Sequence, residues 1–171
     1  VGVQYFYFEE WKEAVQGVDF VIGGVSSFGV DWFLESVLTY LDPAIPVLSV
    51  TKGLVNLEDG SLISYVDYWE RALEAKGIVR QVCAIGGPCT SYELVYHDQT
   101  EVAFCGKDNA VLRMMKEAMA TDYYHISLTN DVIGLESAVA LKNGYALAVA
   151  MTIGLVNRHN GQEAGLHYNS Q

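Results

Sequence analysis

Short apolar runs alternate with segments of helical periodicity along most of this chain, and this alternation restricts the folds that it can adopt. Three of the runs are predicted to be buried strands, at residues 19–25, 46–50 and 79–85. Helical patterns precede or separate them, at residues 9–16, 28–41 and 62–76, and each ends at a glycine or at Asp-Pro. Strands and helices in this order predict βαβ units, and therefore an α/β fold with a mostly parallel sheet.

The rest of the chain departs from this alternation. Three further strands are predicted, at residues 3–8, 101–105 and 123–127. A helix is predicted at residues 109–119, and one long helix follows, for which Asn130 or Asp131 is a suitable N-cap. Apolar residues lie on every face of the long helix, which is typical of a buried core helix in a larger assembly. We therefore place a domain boundary near residue 129.

The composition excludes several classes of protein. With 51% hydrophobic and 12% aromatic residues, the chain can bury a core and is not a disordered chain. Its formal net charge of −11 argues against nucleic acid or an anionic membrane surface as the main partner. An anionic substrate would need a local cluster of Lys or Arg side chains against this acidic background.

The cysteines indicate a protein of a reducing compartment, and the apolar stretches indicate neither a signal peptide nor a membrane span. The three cysteines show no C-x-x-C spacing, which favours free thiols over a disulfide framework. We find no basic region of a signal peptide, and the longest uncharged apolar stretch, residues 144–156, is too short to span a bilayer. The four histidines have no spacing that indicates a metal site. Because the chain starts without Met inside a predicted strand, we expect a piece of a longer protein.

Lys142 is the one basic residue between Lys116 and Arg158, within the long apolar helix. An ammonium group in apolar surroundings is costly unless it is paired, and a desolvated lysine shifts its pKa readily, as proton donors and acceptors do. The alternative is a lysine whose stem packs while its head reaches water or a partner acid. Glu136 lies six residues away, so a local pair along the helix is not favoured.

Three segments that follow strands carry polar groups or bare backbone, at residues 25–28, 49–54 and 85–93. Ligands bind open α/β sheets at the carboxyl ends of strands, so these segments are expected at the rim of a cleft. Lys52 is either a solvated loop lysine or a ligand contact, and Ser26 either caps the next helix or contacts a cofactor. The Gly86-Gly87-Pro88 turn permits close approach of the backbone to a ligand.

These motifs together resemble one family. Thr51-Lys52-Gly53-Leu54, Gly87-Pro88-Cys89-Thr90-Ser91-Tyr92-Glu93 and Ala140-Leu141-Lys142-Asn143 are similar to the successive signatures of the NAD(P)-dependent glycerol-3-phosphate dehydrogenases. The resemblance covers about residues 19–156. It departs from the family where Ser26 stands for the usual proline and Cys89-Thr90 for Ser/Thr-Phe, and the family's Gly-rich phosphate fingerprint is missing from this sequence.

The resemblance implies a fold, a reaction and a place in the cell. Residues 1–129 would be the C-terminal part of a Rossmann-like dinucleotide-binding domain, and residues 130–171 would begin an all-α substrate domain. The whole enzyme would interconvert sn-glycerol 3-phosphate and dihydroxyacetone phosphate with NAD or NADP, as a cytoplasmic homodimer that serves carbohydrate metabolism and phospholipid biosynthesis. The isolated fragment would be inactive.

The family's residue roles carry over onto matching positions of this sequence. Lys142 would be the general acid or base at the substrate oxygen. The substrate-binding positions would be Lys52, Gly87, Cys89 and Asn143. The cofactor-binding positions would be Ser26, Phe28, Lys52 and Ser91.

Two other functions remain open on the sequence. One is a related two-domain dehydrogenase that acts on another hydroxy or keto acid, and the other is a non-catalytic interaction domain. Convergence of Lys52, Gly87 and Lys142 on one cleft would favour an enzyme, whereas dispersal of these residues would favour the interaction domain.

Overall fold

The structure is a computed structural model that describes residues 2–158, with side chains described for residues 2–155. In chain order its elements are α1 (Trp11–Ala14), β1 (Val21–Gly23), α2 (Val30–Phe33), β2 (Val47–Ser49), β3 (Val55–Asn56), β4 (Leu62–Ile63), α3 (Tyr65–Glu74), β5 (Val82–Gly86), α4 (Ser91–Val95), β6 (Thr100–Cys105), α5 (Asn109–Met119), β7 (Tyr124–Thr129) and α6 (Val132–Arg158).

Five of the strands form one mixed sheet in the order β1-β2-β5-β6-β7. β1, β2 and β5 are parallel to one another, β6 is antiparallel to β5, and β7 is parallel to β6. Three of the four strand pairs are therefore parallel, and the predicted α/β fold with a mostly parallel sheet is confirmed.

Some predicted elements differ from those observed. The strand predicted at residues 3–8 is wrong: residues 2–7 have no regular structure, and their side chains are exposed. The helix predicted at residues 28–41 is a short 3-10 turn, α2, and a π-helical segment, Leu34–Leu38. The two-stranded hairpin of β3 and β4 was not predicted, because two-residue strands leave no periodicity to recognise.

Helices cover both faces of the sheet, so the core has two parts. On one face, Trp69 and Leu73 of α3 pack with Leu38 of the π-helical segment. On the other face, Leu112 and Met115 of α5 pack against the sheet. The spacing of these side chains along α3 and α5 is that of amphipathic helices, which explains why both helices were recognised from the sequence, although residues 62 and 63 of the helix predicted at 62–76 form β4.

Arg80 fixes the segment between α2 and β2. Its buried guanidinium donates hydrogen bonds to the carbonyl oxygens of Asp42, at 2.8 Å, and Leu41, at 2.6 Å, and also to those of Leu38 and Ile45. The last carbonyl groups of a helix have no partner within the helix, so a cation placed there both satisfies and stabilises them.

Asp131 directly precedes the long helix α6, and its Oδ1 accepts a hydrogen bond from the N–H of Gly134 at 2.8 Å. The first turns of the helix pack on β5 and β6, but from residue 141 to residue 155 nearly every side chain is exposed. The expectation of a buried core helix applies to a larger assembly; in the structure of this chain the described residues place no second layer over this half of α6. By length and composition alone, Val132–Leu155 is sufficient to cross a bilayer, contrary to the expectation from residues 144–156.

Candidate active site

A cleft of about 550 Å³ lies between α6 and the carboxyl end of β5. Its polar and backbone lining includes Lys52, Gly87, Pro88, Glu101, Ser127 and Lys142. Lys52, Gly87 and Lys142 come from three separate segments of the chain, and the structure brings all three to this one cleft. The cleft thus carries two ammonium groups on a chain whose net charge is −11.

Lys52 occupies a turn that two hydrogen bonds fix to the sheet. The hydroxyl of Thr51 donates to the carbonyl oxygen of Val25 at 2.8 Å, which joins this turn to the segment after β1. The N–H of Thr51 also donates to Oγ of Ser49 at 3.3 Å. Gly53 follows with a φ of +125°, a conformation that favours glycine. Lys52 itself is exposed, so its ammonium group is available at the cleft.

Any substitution that adds a side chain at Gly87 would require a rearrangement of the sheet. Its φ is +149°, and a β-carbon there would lie 2.9 Å from Cα of Val102 on β6. The absence of a side chain lets the backbone of the β5–α4 turn form one wall of the cleft, as the sequence suggested for close approach to a ligand.

Lys142 lines the cleft from α6, about one turn after Ala138, and its side chain is exposed. The ammonium of Lys142 helps to lower the pKa of Glu93 on α4, after the larger effects of hydrogen bonds from the hydroxyl and the N–H of Thr90. Ion pairs among the described residues join Lys76 to Glu35 and Lys107 to Asp67 and Glu70, and Lys142 is in none of them. Of the two alternatives left open for Lys142, the structure shows an exposed lysine and not a desolvated one.

The other residues named by the resemblance do not line this cleft. Cys89 lies half-buried in the turn before α4, and Ser91 begins that helix. Asn143 is exposed beside Lys142. Ser26 and Phe28 follow β1, and Phe28 is 98% exposed. All five belong to the segments that follow strands or to the lysine helix, and none of them is part of the cleft lining.

Two cleft residues were missed by the sequence analysis. Oγ of Ser127 donates a hydrogen bond to Oε1 of Glu101 at 2.9 Å, and both side chains are part of the cleft lining. The alternation of buried and exposed positions along β6 and β7 marks them as outward-facing. Their place beside Gly87 follows from the antiparallel pairing of β5 and β6, which no local sequence pattern indicates.

Comparison with known proteins matches this arrangement to one family. The family model described as "NAD-dependent glycerol-3-phosphate dehydrogenase N-terminus" matches residues 6–112. An NADP(+)-dependent glycerol-3-phosphate dehydrogenase of Archaeoglobus fulgidus is 30% identical over 93% of this chain and 46% of its own length. A chloroplastic NAD(+) glycerol-3-phosphate dehydrogenase of Arabidopsis thaliana is 28% identical over 90% of this chain and 35% of its own length.

A solved structure supports the fold. The structure of a glycerol-3-phosphate dehydrogenase from Saccharomyces cerevisiae superposes with a TM-score of 0.73 at 19% identity, over 92% of this chain and 44% of that one. At this identity the likeness shows the fold alone, which is the Rossmann-like one that the sequence predicted. The chain spans less than half the length of these relatives.

Proposed function

Since this chain belongs to the NAD-dependent glycerol-3-phosphate dehydrogenase family, we propose that it forms part of an enzyme that interconverts sn-glycerol 3-phosphate and dihydroxyacetone phosphate with NAD or NADP. The observation that carries the proposal is the meeting of Lys52, Gly87 and Lys142 in one cleft. Residues 1–129 are then part of the dinucleotide-binding domain, and residues 130–171 begin the helical substrate domain. The whole enzyme is a cytoplasmic homodimer in this proposal.

Lys142 acts as the general acid in reduction and the general base in oxidation. As the carbonyl carbon of dihydroxyacetone phosphate gains a hydride, negative charge develops on its oxygen. The ammonium of Lys142 stabilises that charge and gives the oxygen a proton, which leaves a neutral amine. Acid catalysis of this kind contributes roughly a hundred- to ten-thousand-fold to a rate. In the opposite direction the amine takes the hydroxyl proton as the hydride leaves.

Lys52, Gly87, Cys89 and Asn143 bind the substrate. The ammonium of Lys52 neutralises the anionic phosphate ester, which the net charge of the chain would otherwise repel. The bare backbone at Gly87 lets the small substrate approach β5 closely. Asn143 follows Lys142 on α6 and orients either the lysine or the substrate.

The residues around the carboxyl ends of β1 and β5 fit a dinucleotide. Phe28 offers an exposed aromatic ring, and Ser26, Ser91 and Lys52 offer hydroxyl or ammonium groups near the same edge of the sheet. When bound, the nicotinamide supplies or accepts the hydride. The chain's own residues hold it, orient it towards the cleft and move the proton.

Replacement of Lys142 tests this proposal. In a protein that includes the sequence its relatives have beyond this chain, Lys142→Ala should lower kcat for dihydroxyacetone phosphate by about a hundredfold or more. Its affinity for NADH, measured by fluorescence titration, should be unchanged. Lys116→Ala on α5 is the matched control and should keep the activity. Near-normal turnover of Lys142→Ala would sink the assignment, and a panel of other hydroxy and keto acids separates this enzyme from a related dehydrogenase.

A further inference from the structure

Glu136 is the buried carboxyl group of α6, and the proposed reaction makes no use of it. Its side chain is only 5% exposed, and its Oε2 accepts a hydrogen bond from the N–H of Val66 at 3.4 Å. Val66 lies in the first turn of α3, where backbone N–H groups have no partner within the helix. The carboxyl of Glu136 thus connects α6 to the beginning of α3.

The second oxygen of Glu136 is in an unusual environment. Among the described residues, Oε1 has no hydrogen-bond partner. Glu136 borders a narrow gap, shared with Thr51 and Gly53, that has no room for a water molecule. Thr51 and Gly53 flank Lys52, so Glu136 lies beside the turn that presents one of the two cleft lysines.

The surroundings of Glu136 make its carboxyl easier to protonate than an ordinary one. Burial raises the pKa of Glu136 to about 7, while the nearby N–H groups of Val66 and Tyr65 and the hydroxyl of Ser64 act in the opposite direction and the charge of Asp67 adds to the increase. Burial raises the pKa of Tyr65 on α3 and that of Cys105 on β6, and the charge of Glu136 adds to both increases.

A buried carboxyl with one hydrogen bond is a poor source of stability. A protein with an apolar side chain of similar volume at such a site is often as stable or more stable, because no polar group then has to leave water. What an apolar side chain cannot supply is a directional bond that fixes one helix against another. Glu136 therefore differs from its apolar neighbours in α6 in the geometry that it imposes.

We propose that Glu136 is a positioning residue, which fixes α6 to the beginning of α3 and to the Lys52 turn and so holds Lys142 across the cleft from Lys52. The inference rests on the proposed function, because its effect on rate passes through Lys142. A displacement of a reacting group by about 1 Å can cost roughly a hundredfold in rate, so a modest shift of α6 is sufficient to matter.

Two substitutions separate positioning from stability. Glu136→Gln keeps an oxygen that can accept the Val66 N–H bond, and Glu136→Met keeps the volume without the acceptor. In the longer protein we expect Glu136→Met to lower kcat by about tenfold or more with KM within about threefold, while the melting temperature stays level or rises. Glu136→Gln should restore most of kcat at neutral pH, and Glu117→Gln on α5 is the matched control.

The pH profile is the measurement that a purely structural role would not change. Because the amide of Glu136→Gln does not titrate, the profile of kcat from about pH 5 to about pH 9 should lose one ionisation relative to the parent protein. If Glu136→Met does not fold, this profile alone decides. An unchanged profile, or a Glu136→Met variant with full kcat, would overturn the inference.

A second measurement does not depend on catalysis. In the 171-residue chain, a short amine-reactive cross-linker should join Lys52 to Lys142, with mass spectrometry as the readout. The yield should fall by about threefold or more in Glu136→Met and be retained in Glu136→Gln. If the cross-linking yields follow this pattern but the longer protein does not turn over dihydroxyacetone phosphate, the positioning role is supported and the proposed reaction is refuted. Equal yields in all forms would count against the positioning role itself.

Discussion

Val139 of α6 packs against Gly86 at the end of β5 so closely that a β-carbon on the glycine would lie 2.5 Å from Cγ2 of the valine. Leu135, one turn earlier, would lie 3.0 Å from the same β-carbon. The helix that carries Lys142 therefore rests directly on bare backbone, and the distance from this helix to the sheet depends on a missing side chain.

This contact predicts the effect of a single methyl group. Gly86→Ala should destabilise the chain by about 1–3 kcal/mol, because α6 must move away from β5 to admit the β-carbon. Chemical denaturation is the measurement. Gly144→Ala, in the same helix, is the matched control. Apart from the backbone of its own helix, a β-carbon at Gly144 would have no atom within 4 Å, so this substitution should stabilise the chain by about 0.5–1 kcal/mol. Equal effects of the two substitutions would contradict the packing described here.

Substitution of Lys52 should mainly affect substrate binding. Lys52→Met in the longer protein removes the ammonium proposed to neutralise the phosphate, so KM for dihydroxyacetone phosphate should rise by about tenfold to a hundredfold. Steady-state kinetics measure this change, with Lys12→Met as a control far from the cleft. A loss confined to kcat, with KM unchanged, would place Lys52 in the chemical step instead.

Glu136 should give the folded chain a pH dependence of known sign. Its pKa is about 7 in the folded chain against an ordinary value of 4.5, so the folded state holds the proton more tightly than the unfolded state does. The resulting stability is fully present below pH 4.5 and is lost as the pH rises through about 7. The loss amounts to about 3 kcal/mol, and it should be missing from Glu136→Gln when unfolding is measured across this range. Parallel curves for the two proteins would refute it.

Arg80 should be among the residues on which stability depends most. Arg80→Met leaves four carbonyl oxygens without the donor that now binds them, so we expect a loss of at least about 3 kcal/mol. Arg113→Met on the exposed side of α5 is the matched control and should change the unfolding free energy by less than about 0.5 kcal/mol. A loss below about 1 kcal/mol for Arg80→Met would mean that water replaces the guanidinium easily.

The 171-residue chain by itself should bind NADH poorly. The family's Gly-rich phosphate fingerprint is not in this sequence. In such a fingerprint the backbone N–H groups of the turn bind the pyrophosphate of the dinucleotide. In a fluorescence titration we expect less than half saturation at about 1 mM NADH. Saturation at micromolar concentrations would show that the residues after β1 and β5 are sufficient for binding.

Local signals in the sequence predicted a large part of this fold. The helix predicted at residues 109–119 is observed there as α5, where Asp108 caps it and the buried side chains of Leu112 and Met115 are spaced as on one helix face. The strand at residues 3–8 was wrong because strand composition forms a strand only when a partner is beside it. Pairing partners lie far away in sequence, and no local pattern reveals them.

Some residues of the candidate site could likewise be predicted from the sequence, and others could not. The convergence of Lys52 and Gly87 followed from the rule that the carboxyl ends of parallel strands share one edge. Glu101 and Ser127 could not be placed, because their strands enter the sheet in the opposite direction. The exposure of Lys142 could not be decided from the sequence, because apolar composition on all faces of α6 describes what the helix could bury, and not what covers it here.

The reversed direction of β6 and β7 determines where α6 delivers its lysine. Since β6 is antiparallel to β5 and β7 follows β6, the chain leaves the sheet at Thr129 on the edge opposite the cleft. α6 then has to travel back over the sheet, and the ten residues from Val132 to Lys142 carry it about 15 Å. Had both strands run with the others, the same helix would have started at the rim and carried its amine away from it. The polarity of two strands that contribute neither lysine therefore decides that both lysines line the same cleft.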